Sequence, residues 1–393
     1  MIVNFEFLGN ESIENVITCM NYKVDKVVFF GYNEVVQSQK GPVKEFLCGC
    51  CGVGQVVFHQ LSSSDLQSVL KSMRDKIEYE IAQGNDFYFD ITGGESLILV
   101  AFGILSKEYE TPMHLYDIEK NKLIELDEGA SKSISVDVPR QNVELDLDSL
   151  IKLRGGIINY KLHKSVKKIG DKDFAEDVDR IWEVALKHID CWNLFSGFLR
   201  KHMSPDDNLN IAKSAVSIIN ALKESGTNLK TPAKLNEILD DLEGAGVISD
   251  LVHADGRYSF SYKNRDVADC LRDGGSILEL YIFRREKKDS HCTDCRVGVH
   301  LDWDGVIEEQ PGKDVLNEID VLTLTGNVPT FISCKSGRMD GDQALHALYE
   351  LETVTQRFGG KYAKKVLVIC DSLKEVYHTR AKEMGIEVWE MAK

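Results

Sequence analysis

Positive charge is what this sequence is short of. It sets 47 lysines and arginines against 63 aspartates and glutamates, a formal charge of -16 over 393 residues. That deficit excludes a protein that coats nucleic acid by electrostatics alone, since such binding scales with the phosphates neutralised. Nucleic-acid chemistry on this chain would need metal and local basic groups. Long apolar runs are also missing: none approaches the roughly 20 residues that span a bilayer, so no membrane partner is expected. The chain opens directly into MIVNFEFLGN, without the basic and apolar blocks of a leader, and a cytoplasmic setting is the expectation. Cysteines paired for a framework are lacking too. The ten present read as reduced thiols in a chain of this size. Cys48, Cys50 and Cys51 cluster, and His291-Cys292-Thr293-Asp294-Cys295 offers half of a zinc spacing with no second half nearby.

What is there begins with alternation. Strands are expected at 2–8, 26–31, 53–60, 86–91 and 112–117, with helical stretches between them, the clearest at 63–83, where Leu66, Val69, Leu70, Met73, Ile77 and Ile81 share one face. Strand and helix taking turns predict a mostly parallel sheet covered on both faces, with ligands bound beyond the carboxyl ends of the strands. Two such ends carry suitable residues. Asn10, Glu11 and Ser12 follow the first strand, and Thr92, Gly93 and Gly94 follow the fourth. A Thr-Gly-Gly turn at a helix start lets bare backbone N–H groups approach an anion, although a simple glycine turn capped by Thr92 explains the same residues.

Residues 1–145 therefore read as a first domain and 146–172 as a linker, marked by Arg154-Gly155-Gly156 and the basic stretch from Lys161 to Lys168. From 173 to about 245 the pattern is helical, and a small strand pair turns at Asp255-Gly256. Helices followed by a β-wing, over 173–265, resemble a winged helix. The helix before the wing, LNEILDDLEGAG, is acidic where a DNA-reading helix needs donors, so a spacer or dimerising module is the favoured reading.

The last stretch, 266–393, is built around NEIDVLTLTGNVPTFISCKSG, residues 317–337. It reads as two strands joined at Gly326-Asn327, a pair that tolerates positive φ. Counting outward from that turn sets Thr325 against Val328, Asp320 against Ser333 and Glu318 against Lys335. Carboxylates with one ammonium at the end of a hairpin suit metal-dependent phosphodiester cleavage. A solvated charged hairpin is the bland alternative. The helix expected at 342–358 has an apolar face of Ala344, Leu348, Leu351, Val354 and Phe358, flanked by Glu350 and Glu352. A strand, a helix and a strand follow, completing an α/β core.

Together these features resemble two known modules. The hairpin resembles the PD-(D/E)xK signature of restriction-endonuclease-like nucleases, with Ser333 standing where the pattern has a carboxylate. The first domain, with D-x-T-G-G at Asp90 to Gly94, resembles a Rossmann-like CARF domain, the cyclic-oligoadenylate sensor of type III CRISPR defence. The whole chain resembles the Card and Can nucleases, which join the two. That resemblance implies a homodimer activated by cyclic tetra-adenylate, cutting RNA or DNA with Mn2+ or Mg2+. It implies Asp320 as principal metal ligand, helped by Glu318 or by Glu279 on the preceding helix, with Lys335 orienting the attacking water. Ser333 would hold metal through water or a phosphate oxygen, and Glu350 or Glu352 would supply the missing carboxylate. Asn10, Glu11, Ser12, Thr92, Gly93 and Gly94 would line the ring site. Two rivals stay open: a transcription regulator with an inactive nuclease-like domain, and an ungated repair or restriction nuclease.

Overall fold

The computed structural model describes residues 1–62, 65–126, 139–162, 172–224, 229–308 and 315–391. The first domain runs β1 (Ile2–Phe7), α1 (Ile17–Asn21), β2 (Lys26–Gly31), α2 (Asn33–Gly49), β3 (Gln55–Gln60), α3 (Leu66–Ala82), β4 (Asp86–Asp90), α4 (Ser96–Tyr109), β5 (Met113–Asp117) and β6 (Lys122–Leu126). Its sheet has the order β3-β2-β1-β4-β5-β6, parallel except where β6 returns antiparallel to β5. Period-2 alternation explains its two faces. Val3, Phe5, Phe7, Phe87 and Phe89 pack under α3 and α4, whereas Val27 and Phe29 look the other way, with the residues of α1 and α2. The order reverses at β1, which lies between β2 and β4. Loops leaving β1 and β4 therefore diverge across a crevice, the place where open α/β sheets bind ligands.

The stretch expected as a linker is largely folded. α5 (Leu147–Leu153) buries Leu147, Leu150, Ile151 and Leu153, and β7 (Ile157–Ile158) pairs antiparallel at the edge of the second large sheet. Most of the basic run ending at Lys168 lies outside the described residues.

The middle region runs α6 (Lys172–Lys187), α7 (Trp192–His202), β8 (Asn210–Ser214), α8 (Ala215–Lys223), α9 (Pro232–Gly244), β9 (Ile248–Val252), β10 (Arg257–Tyr262) and α10 (Arg265–Leu271). Its three strands take the order β8-β10-β9. This is the winged-helix-like arrangement, with β8 interrupting what the sequence pattern presents as continuous helix. Thr231 caps α9 by accepting from Lys234 N–H, and Pro232 fits the first turn because its missing N–H needs no partner there. Leu235, Ile238, Leu239 and Leu242 are buried, leaving Glu237, Asp240 and Glu243 off the core face of α9.

The last domain runs α11 (Ser276–Lys287), β11 (Cys292–Asp302), β12 (Leu316–Thr325), β13 (Val328–Lys335), α12 (Gly341–Phe358), β14 (Lys364–Ile369), α13 (Glu375–Glu383) and β15 (Ile386–Glu390). Its sheet has the order β15-β14-β13-β12-β11-β7, with β13, β14 and β15 parallel. Both sides of this sheet are shared. Ile332, Cys334, Val366 and Val368 join one core with helices α6 to α11, while Phe331, Leu367 and α12 join a second that continues through α5 into α1 and α2. Among the described residues no helix is long and apolar enough to cross a membrane.

Candidate active site and ligand cradle

The β12–β13 turn has the expected register, with Thr325 opposite Val328, and Gly326 at φ 59 takes the left-handed conformation that a non-glycine resists. The ladder runs only as far as Val321 opposite Ile332. One residue further, the side chain of Asp320 takes over from its backbone: its Oδ2 accepts Cys334 N–H at 2.6 Å and Ser333 Oγ–H at 3.2 Å. Lys335 Nζ stands 4.0 Å from the same oxygen. Asp320, Ser333 and Lys335 are thus brought together. Burial pushes the Asp320 carboxyl above its usual range and the Glu318 charge adds to this, while Lys335 and the bonds from Cys334 and Ser333 pull the other way. A cation placed here would relieve that cost.

The other carboxylates distribute unevenly. Glu318 pairs in register with His300, whose Nε2 is 4.0 Å from Oε1. Glu350 lines a cleft of about 650 Å3 together with Lys335, Asp342 and His346. Helix α12 places it there because Ala347 and Leu351, on either side in sequence, face the core. Glu352 is not brought to this cleft: it is tied to Lys365 and accepts from Gln356, a structural pairing on the far side of the stripe. Glu279 sits in the first turn of α11, where its charge reaches the Cys334 thiol, and with burial and Asp320 pushes that thiol upward. Cys292 and Cys295 are free cysteines on β11, and the Cys292 thiol points to Asp294 O.

His188, Glu237 and Asp241 form the one cluster of metal-type side chains close enough to share an ion among the described residues. Both ring nitrogens of His188 are already engaged, Nε2 with Asp241 Oδ2 at 2.5 Å and Nδ1 with Lys234 Nζ at 3.0 Å. Lys187 also pairs with Asp241 at 2.7 Å. Two ammonium groups on the cluster make it a staple between α6 and α9.

At the crevice of the first domain, Asp90 accepts Thr92 N–H at 2.8 Å, and Thr92 Oγ1 accepts Tyr116 N–H at 2.9 Å. The helix cap is Glu95, so Thr92 fixes the loop to β5 instead of capping α4. Gly93 is a close approach: a Cβ there would lie 2.8 Å from Glu14 Oε2. Gly94 has φ 142, open to glycine and costly for others. Asn10 is exposed, and Ser12 is buried with its hydroxyl on Gln39. Glu11 is engaged by the chain itself. Its carboxylate pairs with Arg154 Nη1 at 2.9 Å and accepts Lys361 N–H at 2.9 Å, a contact with the last domain. Glu14, which no sequence motif flags, accepts from Tyr362 Oη–H at 2.6 Å and pairs with Lys361 Nζ at 2.6 Å.

Comparisons with known proteins bear on the same parts. Residues 268–391 match the sequence model of the Card1-like endonuclease domain. No curated protein matches the chain. Over 99% of its length the fold is similar to that of protein VC1899 from Vibrio cholerae, with TM-score 0.73, 17% identity and 94% of that chain covered. It is similar over the same share to Can2 from Sulfobacillus thermosulfidooxidans in complex with cyclic tetra-adenylate, with TM-score 0.66, 15% identity and 94% of that chain covered. A type III CRISPR defence DNA nuclease activated by cyclic oligoadenylate matches over 95% of this chain and 46% of its own, with TM-score 0.51 and 14% identity. This chain thus carries a match to a Card1-like endonuclease domain at residues 268–391 and, with its Rossmann-like first domain, shares its overall fold with Can2.

Proposed function

We propose that this protein is a metal-dependent nuclease of type III CRISPR defence, switched by cyclic tetra-adenylate and cutting RNA or DNA at Asp320 and Lys335. The observation that carries the reading is one helix with two addresses. The first half of α12 borders the cleft of Lys335 with Asp342, Gln343, His346 and Ala347. Eighteen residues make it about 27 Å long. Past its far end, Lys361 and Tyr362 are bonded to Glu11 and Glu14 of the β1 loop. Glu14 in turn lies against Gly93. Phosphates cradled by the Thr92–Gly94 backbone would meet the Glu14 carboxylate and bias that contact, which is the differential interaction an allosteric ligand must make.

The donor types suit a hard cation, Asp320, Glu318 and Glu350 offering carboxylate oxygens and Ser333 a hydroxyl. The three carboxylates are not close enough together in this structure to share one ion and would have to draw in around it. Mg2+ and Mn2+ are bound in such sites by one or two carboxylates with water completing the shell. Asp320 would hold the ion with Glu318 and Glu350 assisting, Glu279 being the further candidate. The ion's contribution is Lewis-acid polarisation of a phosphoryl oxygen. Lys335 orients the attacking water and offsets negative charge on the pentavalent phosphate, and Ser333 holds the Asp320 carboxylate in its rotamer. A ring of two-fold symmetry calls for two equivalent loops, hence a homodimer with its cradles facing. The acidic side of α9 weighs against the DNA-reading rival.

The test pairs Lys335→Ala with wild type. Cleavage of labelled RNA, single-stranded DNA and plasmid should fall a hundredfold or more (roughly, for a lost charge-stabilising group), while cyclic tetra-adenylate binding stays unchanged. Undiminished cleavage removes Lys335 from the chemistry. Full-rate wild-type cleavage without any ring nucleotide points to the ungated nuclease.

A further inference from the structure

A second cavity opens beside the cleft of Lys335. Its volume is about 460 Å3, against about 650 Å3 for the cleft itself, and the two share Ser336, Gly337 and Arg338 as a common wall. Ser336 follows Lys335 directly, so the cavity begins about one Cα step, 3.8 Å, from the residue placed at the scissile phosphate. Its far wall comes from the middle region: Ile189, Asn193 and Leu194 face Cys370 and Asp371 at the end of β14.

The chemistry of the lining selects its occupant. Asp190 and Asp371 would repel a phosphate, so the backbone of a bound strand must stay in the Lys335 cleft. Ile189, Leu194 and Cys370 offer an apolar surface of the kind on which a base face rests. The Asp371 carboxylate is a pure acceptor. Arg338 stands at the lip, 3.2 Å from Asp371 and with 90% of its side chain exposed, free to exchange that exposed pairing for a phosphate. The Asn193 amide is wedged between two glycines, its Oδ1 2.8 Å from where a Gly274 Cβ would lie and its Nδ2 3.5 Å from that of Gly337. Those glycines let α7 approach the loop after Lys335 closely enough to form the cavity.

We propose that this cavity is a subsite for the nucleobase next to the scissile phosphate, held against Leu194 and Ile189 and read by Asp371 through its exocyclic amino group. Adenine, cytosine and guanine carry that amine, and uracil and thymine do not. The base must be unpaired to enter, because pairing occupies the edge that Asp371 would read. Arg338 holds the phosphate on the far side of that base. This inference rests on the assignment of Lys335 to the cutting site.

The experiment uses the full chain with cyclic tetra-adenylate and Mn2+ or Mg2+ on a pool of oligonucleotides of random sequence, with product ends sequenced. Cuts should fall beside amino-bearing bases roughly tenfold more often than beside uracil or thymine, the scale of one good base-edge contact. Asp371→Asn, which adds donors, should shift the preference towards uracil or thymine. Leu194→Trp, which fills the cavity from its rim, should flatten it. Cuts of equal frequency beside all bases in wild type would overturn the subsite, as would a preference that neither variant alters. Absence of all wild-type cleavage removes the nuclease reading, and the subsite with it.

Discussion

Asp320 sits where two strands part, and its side chain supplies the hydrogen bond that the ladder no longer does. Ser333 is the weaker of its two neutral donors, at 3.2 Å against 2.6 Å for Cys334 N–H. Ser333→Ala should therefore slow activated cleavage by less than about tenfold, since one such hydrogen bond nets about 1 kcal/mol. A loss as large as that of Lys335→Ala would make Ser333 a participant in the chemistry. Turn chemistry and period 2 make this trio legible from sequence, because both follow from residues close along the chain. Asn193 and Arg338 were not legible, since a helix more than a hundred residues upstream shapes their cavity. Elsewhere, the interior of the first domain holds a separate titrating residue. Burial drives the Glu6 carboxyl well above its ordinary range, and the neighbouring Asp90 charge reinforces this. Folded Glu6 keeps its proton while the unfolded chain loses it above about pH 4.3. Stability from this group is therefore fully present below that pH and declines as pH rises towards the folded value, by about 1.4 kcal/mol per unit. Glu6→Gln should remove that slope and raise the melting temperature at pH 8 more than at pH 4. An equal effect at both would show that Glu6 is ionised in the fold.

On the proposed function, helix α12 and the β1 loop are the elements through which switching would pass. Arg154 joins them: besides Glu11 it donates to the carbonyls of Gln356 and Arg357 at the end of α12, and Arg357 donates back to the Arg154 and Trp303 carbonyls. Arg154 thus ties the β1 loop to the end of α12, and losing it should weaken any coupling carried between them. Arg154→Ala should shrink the fold stimulation by cyclic tetra-adenylate, within the 5- to 150-fold range usual for coupling between sites (about 1–3 kcal/mol). Unchanged basal and stimulated rates would show that the coupling runs elsewhere. Element identity was largely legible. β2 spans the expected residues 26–31, and α12 starts one residue before the expected 342, because Asp340 and Gln343 form a capping box there. β7 was not, because a two-residue edge strand carries no period, and β8 was not, because five residues between two helices are read as part of them. Glu11 and Glu14 likewise gave no sign of their partners, which lie about 350 residues away in the chain.

At the scale of the molecule, the Card1-like sheet has no free face. One side shares its core with α6 to α11 and the other with α5, α1 and α2. A fragment of residues 266–393 should therefore expose Ile332, Val366 and Val368 and aggregate, whereas the full chain melts with the middle region and the last domain in one transition. A soluble, folded fragment with a sharp transition would show that the shared core is dispensable. On the proposed function, the same sharing offers a route between the two sites: the described part of the segment expected as a linker packs at α5 against α2 and pairs at β7 with β11. On the proposed function, a ring nucleotide in the first domain turns on chemistry at Asp320 and Lys335. The most direct test measures cleavage of labelled RNA and single-stranded DNA by wild type and Lys335→Ala, in Mn2+ and in Mg2+, with and without cyclic tetra-adenylate, alongside ring binding by calorimetry. Cleavage is expected only in wild type with both ring and metal, with equal ring affinity in the two proteins. Cleavage that ignores the ring, or that survives in Lys335→Ala, would contradict the proposed function.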